Sequence, residues 1–248
     1  TFSEKYFGEE EGQQDVTLQE RTEELLRIYN HIVSHCNALS MEMERDDSGA
    51  VVYSGGVDSK GNAVDMAGKA IDAMQNLGKS YAQLDQGTVE QIVDILLRSD
   101  RKYIAGFRGT ACCAQYMASK LLFLTPHVVP ILHADATAVE NLLDITERDC
   151  LFLYSFPRYS EIARPLMEIA RESGAKVILM TDRRTSPLAN KADVVVTAQV
   201  DGLGFTNSYV APLSLSEVIL LSVSGRKDVK DSKRFNRIDS VMEREKLY

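Results

Sequence analysis

Five short apolar runs, separated by stretches of helical periodicity, set the rhythm of the second half of this 248-residue chain. They fall at 102–106 (Lys-Tyr-Ile-Ala-Gly), 127–132 (His-Val-Val-Pro-Ile-Leu), 150–155 (Cys-Leu-Phe-Leu-Tyr-Ser), 176–181 (Lys-Val-Ile-Leu-Met-Thr) and 193–197 (Asp-Val-Val-Val-Thr). A strand that is apolar along its whole length must be covered on both faces. Helices between successive strands supply that cover, and also the crossover that parallel pairing needs. Ala111–Leu124 and Tyr159–Ser173 read as such helices, with Gly174 placed to stop the second. The expected fold class is α/β: a three-layer α/β/α sandwich with a five-stranded parallel sheet, preceded by extra N-terminal helices.

Upstream the pattern differs. Residues 1–16 carry five acids against one base, which is half of the chain's net charge of -8, and read as a mobile polar arm. From Thr17, residues Leu18, Leu25, Ile28, Ile32 and Leu39 recur at helical spacing, and Thr17 with Glu20 makes a capping box. One long amphipathic helix is expected to about Met43, without the break that a helix-turn-helix needs. Residues 62–98 are again helical by pattern, with interruptions near Gly78 and Asp85–Gly87. Leu213–Val223 reads as an apolar helix, and the tail 226–246, with eight bases to five acids, as a charged helical one. The division expected is an arm, long helix and loop over 1–61, and an α/β domain with a C-terminal tail over 62–248.

Charge and composition exclude several functions. Lys+Arg is 28 against 36 for Asp+Glu, so the chain has no overall basic footprint for nucleic acid. No apolar run approaches the roughly 20 residues that span a bilayer, and the start has no secretory pattern. The four cysteines (Cys36, Cys112, Cys113, Cys150) lack metal-type spacing and read as reduced thiols of a cytoplasmic protein. Since the first residue is Thr1, the chain is expected to be a fragment or a processed form.

In an open parallel sheet, ligands bind beyond the carboxyl ends of the strands. After the first strand comes Gly106-Phe107-Arg108-Gly109-Thr110, opening a helix. Glycines let a ligand approach the backbone, a helix start offers free N–H groups, and Thr110 and Arg108 add donors for an anionic oxygen. After the third strand, Ser155-Phe156-Pro157-Arg158-Tyr159-Ser160 again opens a helix with hydroxyls and an arginine. Two readings stand: a phosphate site built by two loops, or two capped helices with solvent-facing arginines. The loop after the fourth strand, Thr181–Ala189, reads as support for its neighbour.

These segments resemble a known family. GFRGT before a helix, then DCLFLYSFPRYSEIA, then AKVILMTDRRTSPLANKADVVV, resemble the SIS (sugar isomerase) domain. More narrowly, SFPRYS followed by TD, SPLA and AD resembles the effector domain of RpiR-type transcriptional regulators, over roughly residues 70–225. The resemblance implies a phosphorylated-sugar ligand in the crevice, a homodimer or higher homo-oligomer, and hydroxyl contacts at Thr110, Ser155 and Ser160. The ligand-binding set expected is Arg108, Gly109, Thr110, Ser155, Arg158, Ser160 and His133, with no catalytic residue, metal or cofactor. SIS isomerases usually read Ser-x-Ser-Gly-x-Thr in the second loop, where this chain has Pro157 and Arg158 in place of the second Ser and the Gly. The expectation is therefore a sensor, not an enzyme, with a sugar-phosphate isomerase as the alternative. Regulators of this type bind DNA through an N-terminal domain, expected to be missing from this chain.

Other signals compete. Ser54-Gly55-Gly56-Val57-Asp58-Ser59 resembles the pyrophosphate loop of ATP pyrophosphatases, but no parallel strand follows until about residue 102, so it reads as a Gly/Ser turn. His31, His35 and Cys36 lie close on one helix without a third ligand and read as a packing face. An isomerase needs a base near the sugar carbonyl, and His133 or Glu140 could serve. The preferred reading of this stretch is a loop histidine with Asp135 as a helix cap. Glu217 is a further sugar-contact candidate.

Overall fold

The computed structural model describes residues 66–201, 207–230 and 234–246. The expectations for the acidic arm, for the long helix with His31, His35 and Cys36, and for the Ser54–Ser59 loop lie outside the described residues. Two helices come first, α1 (Met66–Gln83) and α2 (Gln86–Arg98). Then follow β1 (Lys102–Gly106), α3 (Ala111–Leu124), β2 (Val128–Ile131), α4 (Ala136–Leu142), β3 (Cys150–Tyr154), α5 (Ala163–Glu172), β4 (Lys176–Thr181) and β5 (Val194–Thr197). The C-terminal part is α6 (Val210–Ser224), the single turn α7 (Lys227–Lys230) and α8 (Arg234–Arg244). Among the described residues no helix is long and apolar enough to cross a membrane.

The five strands form one parallel sheet in the order β2-β1-β3-β4-β5. Successive strand side chains point to opposite faces, so the unbroken apolar runs divide into two cores. Ile104, Phe152, Tyr154, Ile178, Met180 and Val196 meet Ile92 and Leu96 of α2, Met117 and Leu121 of α3, and Leu215 and Ile219 of α6. Tyr103, Ala105, Leu151, Leu153, Val177 and Leu179 meet Leu142 of α4 and Leu166 and Met167 of α5. Each large apolar side chain among them contributes about 1.5–3 kcal/mol by burial. The three layers expected are therefore present. Pro130, which cannot donate to a ladder, lies on β2, an edge strand.

Side-chain hydrogen bonds fix α1 and α6 to the sheet. Tyr154 at the end of β3 shares a 2.7 Å hydrogen bond with Ser216 of α6, whose hydroxyl reaches the Pro212 carbonyl at 2.7 Å. Tyr81 of α1 pairs with Ser214 of α6 at 2.8 Å. Ser80 accepts from the Gln199 N–H at 2.8 Å, Asn76 donates to the Asp201 carbonyl at 2.6 Å, and Thr197 donates to Gln83 at 2.6 Å. Helix α1 thus covers the exit of edge strand β5.

Local signals hold with two corrections. Gly174, at φ 77°, ends α5: its N–H meets the Arg171 carbonyl at 3.0 Å and the Ala175 N–H meets Ala170 at 3.0 Å. The interruption expected near Gly78 does not occur, because this buried glycine sits inside a helix whose backbone is fixed by packing on α6. Helix α5 starts at Ala163, not Tyr159, because the preceding residues form a tighter turn, with the Ala163 N–H on the Ser160 carbonyl at 3.1 Å and the Arg164 N–H on that of Glu161 at 3.3 Å.

The expected break at Asp85–Gly87 is the junction of α1 and α2. Asp85 caps α2, accepting from the Thr88 N–H at 2.8 Å and the Thr88 hydroxyl at 2.5 Å. The Thr88 hydroxyl and N–H hold the Asp85 carboxyl below its ordinary value of 3.8. A carboxyl with a lowered folded-state pKa stabilises the fold above its unfolded pKa, and that part is lost as pH falls through the folded value. Asp85→Ala is expected to cost about 1 kcal/mol in urea unfolding at neutral pH, with the gap to wild type narrowing in acid, below about pH 4.

Candidate ligand-binding site

The sheet order reverses between β1 and β3. From β1 the chain crosses to β2 on one side, and from β3 it steps to β4 and β5 on the other. Such a switch point opens a crevice at the carboxyl ends of the two strands. Gly106 and Tyr154 are register partners there, so the loops that follow them are neighbours, as the two-loop reading requires.

The first loop turns sharply. A Cβ added to Gly106 would meet the Thr110 carbonyl oxygen at 2.6 Å and the Ala114 Cβ at 2.9 Å, so only glycine fits. Residues Arg108–Thr110 make a single tight helical turn before α3, with Arg108 at φ 55°. Thr110 is 6% exposed, and its hydroxyl accepts from the Phe107 N–H at 2.7 Å. It lies 2.9 Å from the Phe107 carbonyl and 3.3 Å from that of Tyr154. That hydroxyl closes the loop and reaches across to β3.

The second loop begins with Ser155, whose N–H extends the ladder to the Met180 carbonyl at 3.0 Å. Ser155 is 4% exposed, and its Oγ has no hydrogen-bond partner. Arg158, Ser160 and the buried Phe156 follow. The two loops enclose a cavity of about 160 Å³. It brings together Arg108, Gly109, Thr110, Ser155, Arg158 and Ser160, and it is closed by Asn207 and Tyr209 at the entry to α6. Among its described lining residues there is no carboxylate and no imidazole. The ionisable groups are two arginines and the hydroxyls of Tyr154 and Tyr209, both raised above their ordinary value chiefly by burial.

The remaining candidates lie elsewhere. His133 is exposed beyond β2 and does not line the cavity. Asp135 caps α4, accepting from the Thr137 N–H at 3.0 Å. Glu217 accepts from the Tyr116 hydroxyl at 2.6 Å, and neither it nor Glu140 lines the cavity. Tyr159 donates to Asp182 at 2.7 Å, and burial, with that carboxylate, pushes its hydroxyl up to about 12. The loop after β4 thus supports the second loop, as expected. Asn207 and Tyr209 were not identified from sequence, since they precede an apolar helix and belong to no motif.

A family model, the SIS domain, matches residues 95–222, slightly more than half of the chain. The chain belongs to the SIS domain family. The SIS fold is also the fold of its structural neighbours. The sugar isomerase domain of an RpiR transcription factor from Sphaerobacter thermophilus has a TM-score of 0.66 at 21% identity, covering 70% of this chain and 97% of that one. The NanR protein of Vibrio vulnificus, complexed with ManNAc-6P, has a TM-score of 0.61 at 16% identity, covering 71% and 67%. A candidate sugar-phosphate isomerase from Listeria monocytogenes has a TM-score of 0.59 at 15% identity, covering 75% and 100%. At these identities the likeness is one of fold. No match was found among curated proteins.

The tight first turn of this SIS domain gives a direct expectation. Gly106→Ala forces a Cβ against a backbone oxygen and should cost about 1–3 kcal/mol in urea unfolding. An unchanged midpoint would show that the turn relaxes freely.

Proposed function

We propose that the crevice between β1 and β3 binds the phosphate of a phosphorylated sugar, and that the chain is the sensing domain of an RpiR-type transcriptional regulator. The observation that carries this reading is the Ser155 hydroxyl. It is buried, lines the cavity and lacks a partner. Leaving such a group unpaired costs about 1–3 kcal/mol, and an anionic oxygen supplies the missing acceptor. Arg108 and Arg158 provide positive charge on either side, and Ser160 a second hydroxyl. Gly109 and Thr110 shape the first loop. Ser155, Ser160, Arg108 and Arg158 are the donors; Thr110 acts through loop geometry.

The lining supports a sensor over the alternative, a sugar-phosphate isomerase. Moving a proton at a sugar carbon takes a positioned base, and the described lining offers none. In this reading the sensor works as a homodimer, and the ligand biases the arrangement of DNA-binding domains attached to it. That bias requires different affinities for the two arrangements. Incubation with the bound sugar phosphate in deuterated water should show no exchange at C2. Exchange that keeps pace with turnover would reinstate the isomerase.

The site itself is tested by Ser155→Ala. The lost charge-assisted hydrogen bond is expected to weaken sugar-phosphate binding about tenfold to a hundredfold. Thermal stability without ligand should not fall, because the hydroxyl bonds nothing in the protein. Equal affinity in calorimetry for variant and wild type would remove Ser155 from the site.

A further inference from the structure

Asn207 and Tyr209 link the loops of the crevice. The Asn207 amide donates to the Pro157 carbonyl in the second loop at 3.2 Å. Tyr209 packs edge-on against Phe156 of the same loop, with ring centroids 6.0 Å apart. Its ring also lies on the first loop: a Cβ built on Gly109 would meet the Tyr209 hydroxyl oxygen at 2.7 Å and its Cε2 at 2.9 Å. Gly109 is therefore small because a tyrosine ring occupies the space beside it. Two residues apart in the chain, both grip the second loop, Asn207 at Pro157 and Tyr209 at Phe156, and so form one unit. That unit leads directly into α6, which is anchored to β3 through Tyr154 and Ser216 and to α1 through Tyr81 and Ser214.

We infer that Asn207 and Tyr209 brace the two anion-binding loops at a fixed separation, with the Tyr209 ring as the positioning residue. The inference rests on the reading of the crevice as a phosphosugar site. One anion must satisfy donors from both loops at once, so a change in their separation weakens every contact together. The brace acts through packing of the ring on Gly109 and Phe156. The Tyr209 hydroxyl is not required to touch the ligand.

The test uses Tyr209→Ala, Tyr209→Phe, Asn207→Ala, Gly109→Ala and the double variant Gly109→Ala/Tyr209→Ala. The first readout is amide hydrogen exchange without ligand. Tyr209→Ala should speed exchange at 107–110 and 156–160 while β1, β3 and β4 keep their protection, and Tyr209→Phe should restore both loops. If Tyr209→Ala does not fold, Asn207→Ala carries this test at 156–160. Unchanged exchange in the loops overturns the brace, whatever the crevice binds.

The second readout is calorimetric titration with inorganic phosphate and with fructose 6-phosphate. Tyr209→Ala should weaken binding about tenfold or more, and Tyr209→Phe by about twofold at most. Gly109→Ala should weaken binding in the wild type, where its methyl displaces the ring, and by about twofold at most once Tyr209 is alanine. Equal losses in both backgrounds would give Gly109 a direct ligand role and overturn the brace. A large loss in Tyr209→Phe would make the hydroxyl a ligand contact and also overturn it. If wild type binds neither compound, the phosphosugar reading fails, and the exchange result still decides the brace.

Discussion

The parallel pairing of β1 with β3 is the constraint on which the rest depends. These strands are adjacent in the sheet, although a helix, an edge strand and another helix separate them in the chain. Their register ends on Gly106 opposite Tyr154, so both chains leave the sheet at the same level. Everything in the crevice follows from that: one loop folds back over Gly106, the other continues through Ser155, and the Thr110 hydroxyl reaches across to the Tyr154 carbonyl at 3.3 Å. Tyr154 then ties the same level to α6 from beneath. A slip of one residue in this pair would exchange the two cores, because each strand side chain would change face.

Two of the four left-handed non-glycine residues described lie at the same place. Arg108 at φ 55° and Arg158 at φ 65° both adopt the left-handed conformation, and both line the cavity. Side chains that large in that region cost of order 1–3 kcal/mol each. Arg158 holds a backbone shape that glycine adopts freely, and it places a guanidinium at the cavity. Strain and a buried unpaired hydroxyl thus meet within one small cavity.

Much of this was legible in the sequence. Unbroken apolar runs gave the strands and their cover on both faces. Asp85 and Gly174 marked helix boundaries because each has a local chemical reason to sit there. The adjacency of two Ser/Thr- and Arg-bearing loops followed from the rule for parallel sheets. What was not legible depends on contacts distant in sequence. Gly109 reads as a ligand-approach glycine, and only the fold shows a second reason for it, the Tyr209 ring that fills the space beside it. Thr110 reads as a ligand hydroxyl, and only the fold adds its bonds to Phe107 and Tyr154. Gly78 reads as a helix breaker because propensity is local, whereas packing on α6 is not. His133 follows a strand at the ligand edge, but β2 is the outer strand, which carries it away from the crevice.

The bonds from α1 to the exit of β5 bear on where this domain begins as a physical object. The matched family region starts within α2, at residue 95. Helix α1 lies entirely before it, yet supplies Ser80 to the Gln199 N–H, Asn76 to the Asp201 carbonyl and Gln83 to Thr197. A polypeptide cut at the family boundary would keep all five strands but lose the partners of the Gln199 N–H and the Asp201 carbonyl just past β5. The segment joined by these bonds is therefore longer than the recognisable family segment.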